Sequence, residues 1–353
     1  MKRVVRLLGV GLLLLVVLLL ILFVLAQTTP LISAQDEHAV WLRLLITAIV
    51  ICLLSMCIFF LFSFRQNEAS TISLYAQPTD IKEINTEQPN YASLLTIYLR
   101  DRYGPFWRRK VRLLLVTGEP EQAEAIAPGL TGQHWLEGDH TVLIYGGRPT
   151  AEPDVTLLTA LKKLRRSRPL DGIIWALTEE QSRQTAQLDK GWRGLINGGK
   201  RLGFQAPLYL WQVCDDGDYQ TGRPLQSVGC LLPERCTPEQ LAVMLEAQTL
   251  PLTEQGMSQL LTDNRHDFLL RLAHTLAERG IAHWQTVLKP LLAGGAFSSL
   301  RLRGLMFSPP LAAVPESAPH AWLPSPVWAG VTGDNARGRT VGFPWLRASC
   351  VLP

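Results

Sequence analysis

Two apolar runs near the amino terminus constrain this chain more than any other feature. Leu7–Ala26 spans 20 residues and Leu44–Phe64 spans 21, and neither contains a charged residue. At about 1.5 Å of rise per residue, each run is long enough to cross the roughly 30 Å hydrocarbon core of a bilayer as a helix. The stretch between them, Gln27–Val40, is short and polar, with Pro30, Asp36 and Glu37. Two spans so joined form a hairpin whose ends return to one side. Lys2, Arg3 and Arg6 precede the first run, Arg65 follows the second, and Arg100, Arg102, Arg108, Arg109, Lys110 and Arg112 come farther on, while Arg43 sits at the far edge of the loop. An excess of Lys and Arg marks the cytoplasmic side, so both termini are expected in the cytoplasm. The rival is a cleaved signal peptide, with Lys2-Arg3 as its basic start and Val24-Leu25-Ala26 before the cut. A twenty-residue apolar core is too long for that, and a second run follows directly. Trp41 falls where an interfacial anchor belongs. Cys52 and Cys57, inside the second run, read as small apolar residues. Gly9, Gly11 and the Cys52/Ser55 face are candidates for helix–helix contact and self-association.

Composition narrows the remainder. With 18% charged and 47% hydrophobic residues, a disordered chain is excluded. A formal charge of +4 is too mild to argue for nucleic acid, and six Cys in 353 residues are too sparse for a disulfide framework. Residues 66–105 read as a polar linker with a lead-in helix at Tyr91–Tyr103. Short apolar runs then alternate with helical patterns. Strands are expected at Val111–Thr117, Thr141–Tyr145, Gly172–Leu177, Pro207–Val213 and, more weakly, Val228–Leu232. Helices are expected at Pro153–Arg166, Thr178–Arg201 and Pro238–Glu246. Such alternation implies an α/β fold with a mostly parallel sheet over residues 106–250. A helical extension is expected over 251–308: one helix striped by Leu261, Phe268, Leu269, Leu272 and Leu276, a second over Ile281–Leu292, and a terminal strand at Arg301–Phe307. The tail, 309–353, holds eight of the 23 prolines and is expected to be irregular.

The segment VRLLLVT-GEPEQAEAI is a strand, a glycine turn and a helix, the setting of a phosphate-binding P-loop. That loop needs G-x-x-x-x-G-K-[ST], because its glycines let backbone N–H groups wrap phosphates while Lys neutralises them and the hydroxyl holds magnesium. Gly118 fits the first position, but Ala123, Glu124 and Ala125 stand at the second Gly, the Lys and the hydroxyl positions. A carboxylate in place of the ammonium repels phosphate, so the expectation is a P-loop shape without phosphate chemistry.

Taken with its neighbours, this segment resembles the IcmF/TssM family, the large inner-membrane component of type VI secretion systems. His140–Arg148 (HTVLIYGGR) is similar to that family's VLIDTAGR strand and turn. Arg168–Ile174 (RPLDGII) is similar to RPLNGVI, the most specific match. Leu202–Tyr209 resembles its LG…PVY segment, and Arg301–Phe307 (RLRGLMF) its LRGVYF. Val327-Trp328-Ala329-Gly330 and Gly338–Gly342 look like the stretch before the family's third span. The resemblance implies a transmembrane hairpin over 1–65, with spans at about 7–26 and 44–64, followed by a cytoplasmic GTPase-like domain. Its departures fall on nucleotide chemistry. The Walker B aspartate position is Tyr145, and the TKxD base-recognition segment aligns with Val213-Cys214-Asp215-Asp216, so its Lys is lost. The resemblance therefore implies a non-enzymatic scaffold in the bacterial inner membrane, with no cofactor. Its implied partners are a TssL/DotU-type membrane protein and the secretion baseplate. It also implies a third span and a periplasmic region beyond Pro353, so a non-functional truncated remnant of a longer protein is one alternative. An active NTP-hydrolysing membrane protein is the alternative from another class.

Other features read more plainly. Leu161–Arg168 (LKKLRRSR) lacks interleaved aromatics and is expected to be a solvated helix end or a face toward anionic lipid rather than a nucleic-acid patch. Phe106–Lys110 (FWRRK) combines aromatic and basic residues and is the better lipid-surface candidate. Asp215, Asp216 and Asp218 read as a turn, not a calcium loop. Cys230 and Cys236 read as free thiols. The histidines, with His134 and His140 around a turn and His266 and His274 eight apart on one helix, make no three-ligand metal site. Ser227, Ser298 and Ser308 lack a nucleophile elbow.

Overall fold

The computed structural model describes residues 91–214, 220–312 and 319–341. All belong to one of two units, the one running from Gln88 to Pro353. Both apolar runs, the linker up to residue 90, Asp215, Asp216, Asp218 and the last residues lie outside the described ones.

A helix α1 (Tyr91–Tyr103) and a single turn α2 (Trp107–Lys110) lead into strand β1 (Arg112–Thr117). There follow α3 (Pro120–Ile126), α4 (Leu130–Gln133), β2 (Trp135–Gly138), β3 (Thr141–Tyr145), α5 (Val155–Leu164) and β4 (Gly172–Thr178). Next come α6 (Glu179–Arg183), α7 (Thr185–Leu202), β5 (Phe204–Gln205), β6 (Leu208–Val213), β7 (Gly229–Leu231), α8 (Pro238–Thr262) and α9 (Phe268–Thr275). A π-turn at Leu276–Gly280 joins α9 to α10 (Ile281–Leu288), and β8 (Leu302–Ser308), α11 (Ala329–Thr332) and β9 (Arg339–Thr340) complete the order. Seven strands form one sheet in the order β2-β3-β1-β4-β6-β8-β7, and β5 pairs separately with β9. The interior pairs β3–β1, β1–β4, β4–β6 and β6–β8 are parallel, and both edge strands are antiparallel. The fold is α/β with a mostly parallel sheet, as the alternation predicts.

Strand pleating sorts the core into two layers. Leu113 and Leu115, Ile173, Trp175 and Leu177, and Leu208 and Leu210 face one cluster, covered by α1, α5, α7 and the α8–α10 helices. Leu114 and Val116, Ile174 and Ala176, and Tyr209, Trp211 and Val213 face the other, covered by α3, α4 and the tail. Continuous apolar runs on these strands follow from burial on both faces.

Several local expectations are corrected. The single helix expected over Thr178–Arg201 is two. Thr178 and Gln181 form a capping box that starts α6, and the chain breaks at Gln184 (φ −88°, ψ 79°) before α7. The helix expected to end at Glu246 continues through Pro251 to Thr262, across the boundary placed at residue 250. Leu261 therefore sits on α8, 85% exposed, rather than on the face of α9. The strand assigned to a separate extension, β8, lies inside the main sheet between β6 and β7. Strand β2 is absent from the sequence reading. Its hairpin turns through Asp139 (φ 43°) and His140 (φ 60°), a primed two-residue turn that lacks the usual Asn-Gly signature. The tail is irregular for much of its length, yet it is core: Trp322, Val327, Trp328 and Val331 are buried.

Candidate functional site

In an open parallel sheet, ligands bind beyond the carboxyl ends of the strands where the chain departs in opposite directions. Here that point is β1, hydrogen-bonded to β3 on one side and β4 on the other. Gly118 follows β1, and the residues expected to echo nucleotide chemistry gather around it.

The turn after β1 is two residues long. Helix α3 begins at Pro120, with proline at its first position and Glu119 as the N-cap residue. A P-loop shape, as expected from the sequence, is therefore not formed: there is no loop of backbone N–H groups between Gly118 and the helix. Ala123 lies inside α3 and is fully buried. Glu124, at the Lys position, turns its carboxylate onto the start of α4, accepting from the Gly129 N–H at 2.5 Å, the Thr131 N–H at 2.7 Å and the Thr131 hydroxyl. Ala125 stays half-buried, and its carbonyl accepts from the Leu311 N–H of the tail at 2.7 Å. Gly118 itself is required by geometry. Its φ is +149°, and a Cβ there would lie 2.6 Å from the Ala176 carbonyl oxygen. Its N–H donates to the Gly147 carbonyl at 3.1 Å, so it is not directed at a ligand.

Tyr145, which the resemblance aligns with a Walker B aspartate, donates its hydroxyl to the Gly118 carbonyl at 3.3 Å. Burial, reinforced by the charge of Glu119, raises its pKa, so it stays a neutral donor. Arg148 pairs with Glu119 at 2.5 Å across the same turn. The hollow left between Gly118, Pro149, Trp175 and Gln181 measures about 20 Å³, room for about one water where a small-ligand pocket needs about 300 Å³ or more. A triphosphate with magnesium does not fit these residues. Cys214, which the resemblance aligns with base recognition, is half-buried and its N–H donates to the Ser308 carbonyl at 2.8 Å; Asp216 is outside the described residues.

The open space at this edge lies farther along, beyond β4, β6 and β8. Two adjoining hollows of about 610 and 360 Å³ share Glu179, Arg183, Gln212, Leu272 and Thr275. One wall is α6. The other is the α9–α10 layer at its π-turn, an irregularity frequent at functional sites. Glu179 binds Arg183 at 2.5 Å and Arg279 at 3.6 Å, clipping the two walls together. Ser182 and His283 meet at 2.8 Å. The serine hydroxyl already donates to the Glu179 carbonyl at 2.6 Å, so the imidazole Nε2 supplies the proton of the Ser–His bond. That is the reverse of a base abstracting a serine proton. Burial, then the charge of Arg183, pushes the His283 pKa down and keeps the ring neutral.

Sequence reasoning missed Ser182 and His283, because residues 101 apart carry no spacing signal. Of the groups it singled out, His266 precedes α9 rather than lying on it and binds the Thr221 carbonyl at 3.2 Å, while exposed His274 pairs with Glu278 at 3.2 Å. Among the described residues no three metal-ligating side chains converge, and no helix is long and apolar enough to cross a membrane. Cys230 and Cys236 are buried free thiols, and burial, then proximity to Cys236, pushes Cys230 up to about 12. Ser308 accepts from the Trp211 indole at 2.8 Å inside the core. The chain matches no family model, no curated protein and no solved structure.

Proposed function

We propose that this chain is a membrane-anchored, non-enzymatic scaffold of a bacterial protein-secretion apparatus, as the IcmF/TssM resemblance implies, built on a GTPase-like sheet that no longer takes nucleotide. One observation carries the reading: the place for a triphosphate, beside Gly118, is filled by this chain's own contacts. The Gly118 N–H is bonded to Gly147, Tyr145 caps the turn, Glu124 is spent on α4, and a two-residue turn replaces the loop. These interactions stabilise a closed turn and supply neither phosphate donors nor a magnesium ligand. The central β1, with the chain leaving to β3 and β4 on opposite sides, supports descent from a nucleotide switch. The groove beyond β4, β6 and β8 supports a body that presents surface to protein partners. By the resemblance these are a TssL/DotU-type membrane protein and the baseplate. The apolar runs 7–26 and 44–64 support anchoring by a hairpin in the inner membrane.

Two measurements test this. Titration of the purified chain with magnesium GTP and ATP is expected to give no saturable binding; micromolar saturation overturns the pseudo-GTPase reading. Pull-down from solubilised membranes, with the chain as bait, is expected to recover secretion-apparatus components. A folded, inserted bait that recovers none overturns the scaffold.

A further inference from the structure

The parallel strands β1, β4, β6 and β8 begin at one edge of the sheet, opposite the edge described above. The segments that enter them are basic. Phe106–Lys110 leads into β1, Leu161–Arg168 toward β4, Lys200-Arg201 toward β5 and β6, and Arg301 into β8. Strand β9 pairs Arg339 with Gln205 and adds Arg337 and Arg339 to the same edge.

These segments are stitched into one surface. Arg108 Nε donates to the Leu164 carbonyl at 2.7 Å, and Arg165 donates back to the Arg108 carbonyl at 3.0 Å and to Val111 at 2.7 Å. Lys162 Nζ reaches the Arg201 carbonyl at 2.5 Å, and Arg301 the Arg337 carbonyl at 2.8 Å. Carbonyl partners hold the side chains without cancelling their charge. Carboxylates compensate only part of the field: Asp171 takes Arg165 and Arg168, Glu152 takes Arg201, and Glu234 takes Arg301. Arg109, Lys110, Lys163, Arg166 and Lys200 remain exposed and form no ion pair among the described residues. The helices at the opposite edge carry Glu119, Glu121, Glu179 and Glu180 in or beside their first turns, with Glu119 and Glu179 paired to arginines.

Within this field Phe106 is 68% exposed, while Trp107 beside it is buried. It is the one exposed aromatic among the large exposed apolar side chains of the described residues. A single-stranded nucleic-acid platform stacks successive bases on several aromatics. One apolar ring amid Lys and Arg instead matches the headgroup boundary of an anionic bilayer. On the anchoring proposed above, the domain belongs to a chain already held at a membrane, which favours contact with a lipid surface.

We infer that the amino edge of the sheet is a docking face for an anionic bilayer surface, with Phe106 inserted at the headgroups and the basic segments around it. The inference rests on the membrane anchoring proposed above.

The test is amide hydrogen exchange of the full chain in nanodiscs of phosphatidylcholine, alone or with one third phosphatidylglycerol. Exchange over 106–112 and 162–168 is expected to slow about tenfold in the anionic discs and to recover at about 0.5 M NaCl, while 179–183 and 268–275 stay unchanged. The R109E/K163E/R166E variant is expected to lose the lipid effect while β4 keeps the exchange of the parent chain, which shows the fold intact. Equal exchange in both disc types, or protection by a short DNA duplex and not by anionic lipid, overturns the inference. If the chain enters neither disc, the anchoring reading fails separately, and flotation with preformed phosphatidylglycerol vesicles then decides. Binding lost in the triple variant supports the face, and no binding overturns it.

Discussion

The Tyr209 hydroxyl donates to the Asp334 carboxylate at 2.7 Å, joining the second residue of β6 to the tail across 125 positions of sequence. Arg303 of β8 holds the same carboxylate through two N–H groups at 3.1 and 3.2 Å. Both Tyr209 and Asp334 are buried. A short polar network thus ties the tail to two neighbouring strands.

That network sets the first prediction. Removing Asp334 leaves Arg303 and Tyr209 without their acceptor, so D334A is expected to cost about 3–5 kcal/mol in urea unfolding, as for other broken buried ion pairs. Y209F keeps the ion pair and is expected to cost about 1 kcal/mol. Equal costs would show that the hydroxyl, not the ion pair, anchors the tail.

The same carboxylate gives a pH dependence. Burial works to raise the Asp334 pKa, but the hydrogen bonds from Arg303 and Tyr209 outweigh it and hold the group below its ordinary range. Its stabilisation is therefore full above the unfolded value of about 3.9 and is lost as pH falls through the lower folded value. D334N is expected to flatten that part of the acid limb. His283 acts with the same slope in a higher window. Its lowered pKa means that below about 6.5 the unfolded chain takes up a proton the folded chain refuses, so stability falls as pH drops. H283Q is expected to remove this slope, and an unchanged profile would place the ring in contact with solvent.

Installing P-loop residues tests the pseudo-GTPase reading proposed above. The A123G/E124K/A125S variant carries the residues a P-loop requires, yet it is expected to bind no ATP or GTP, because those positions sit within α3. E124K alone is expected to destabilise the chain by about 1–3 kcal/mol, since it leaves the Gly129 and Thr131 donors unsatisfied. Nucleotide binding by the triple variant would mean that the turn opens readily.

Gly118 provides a sharper steric test. G118A places a Cβ against the Ala176 carbonyl at a φ that L-residues rarely adopt, and is expected to cost about 1–3 kcal/mol from backbone strain alone. Retention of the parent melting temperature would show that β1 and β4 can separate there.

The tail is expected to behave as core. The Trp328 indole donates to the Ile126 carbonyl at 2.9 Å and its ring packs on Trp211 and Trp322. W328A is expected to cost about 3–5 kcal/mol, read by denaturant midpoint, and W328F less. A loss below about 1 kcal/mol would mean the second layer closes without the tail.

The sequence alone determined whatever depends on local order. Apolar runs bounded by glycine or proline marked β1, β3, β4 and β6, because burial on both faces leaves an unbroken hydrophobic string. The start of α8 at Pro238 was also placed, and the Thr237–Gln240 capping box with a first-turn proline shows that this start is local chemistry. The absence of Lys and Asp where a P-loop and a Walker B motif would need them was equally legible, being a matter of residue identity. Tertiary structure decided what depends on long-range contact. Whether Gly118 opens into a loop or a tight turn was settled by Ala176 and Gly147, which lie 58 and 29 residues away. The standing of β8 as a sheet strand, the tail as a core layer and the amino edge as one basic face emerged only when parallel pairing brought distant segments together. Local propensity carries no record of such meetings, because a strand's neighbours are chosen by burial and twist across the whole sheet and not by the residues beside it in the chain.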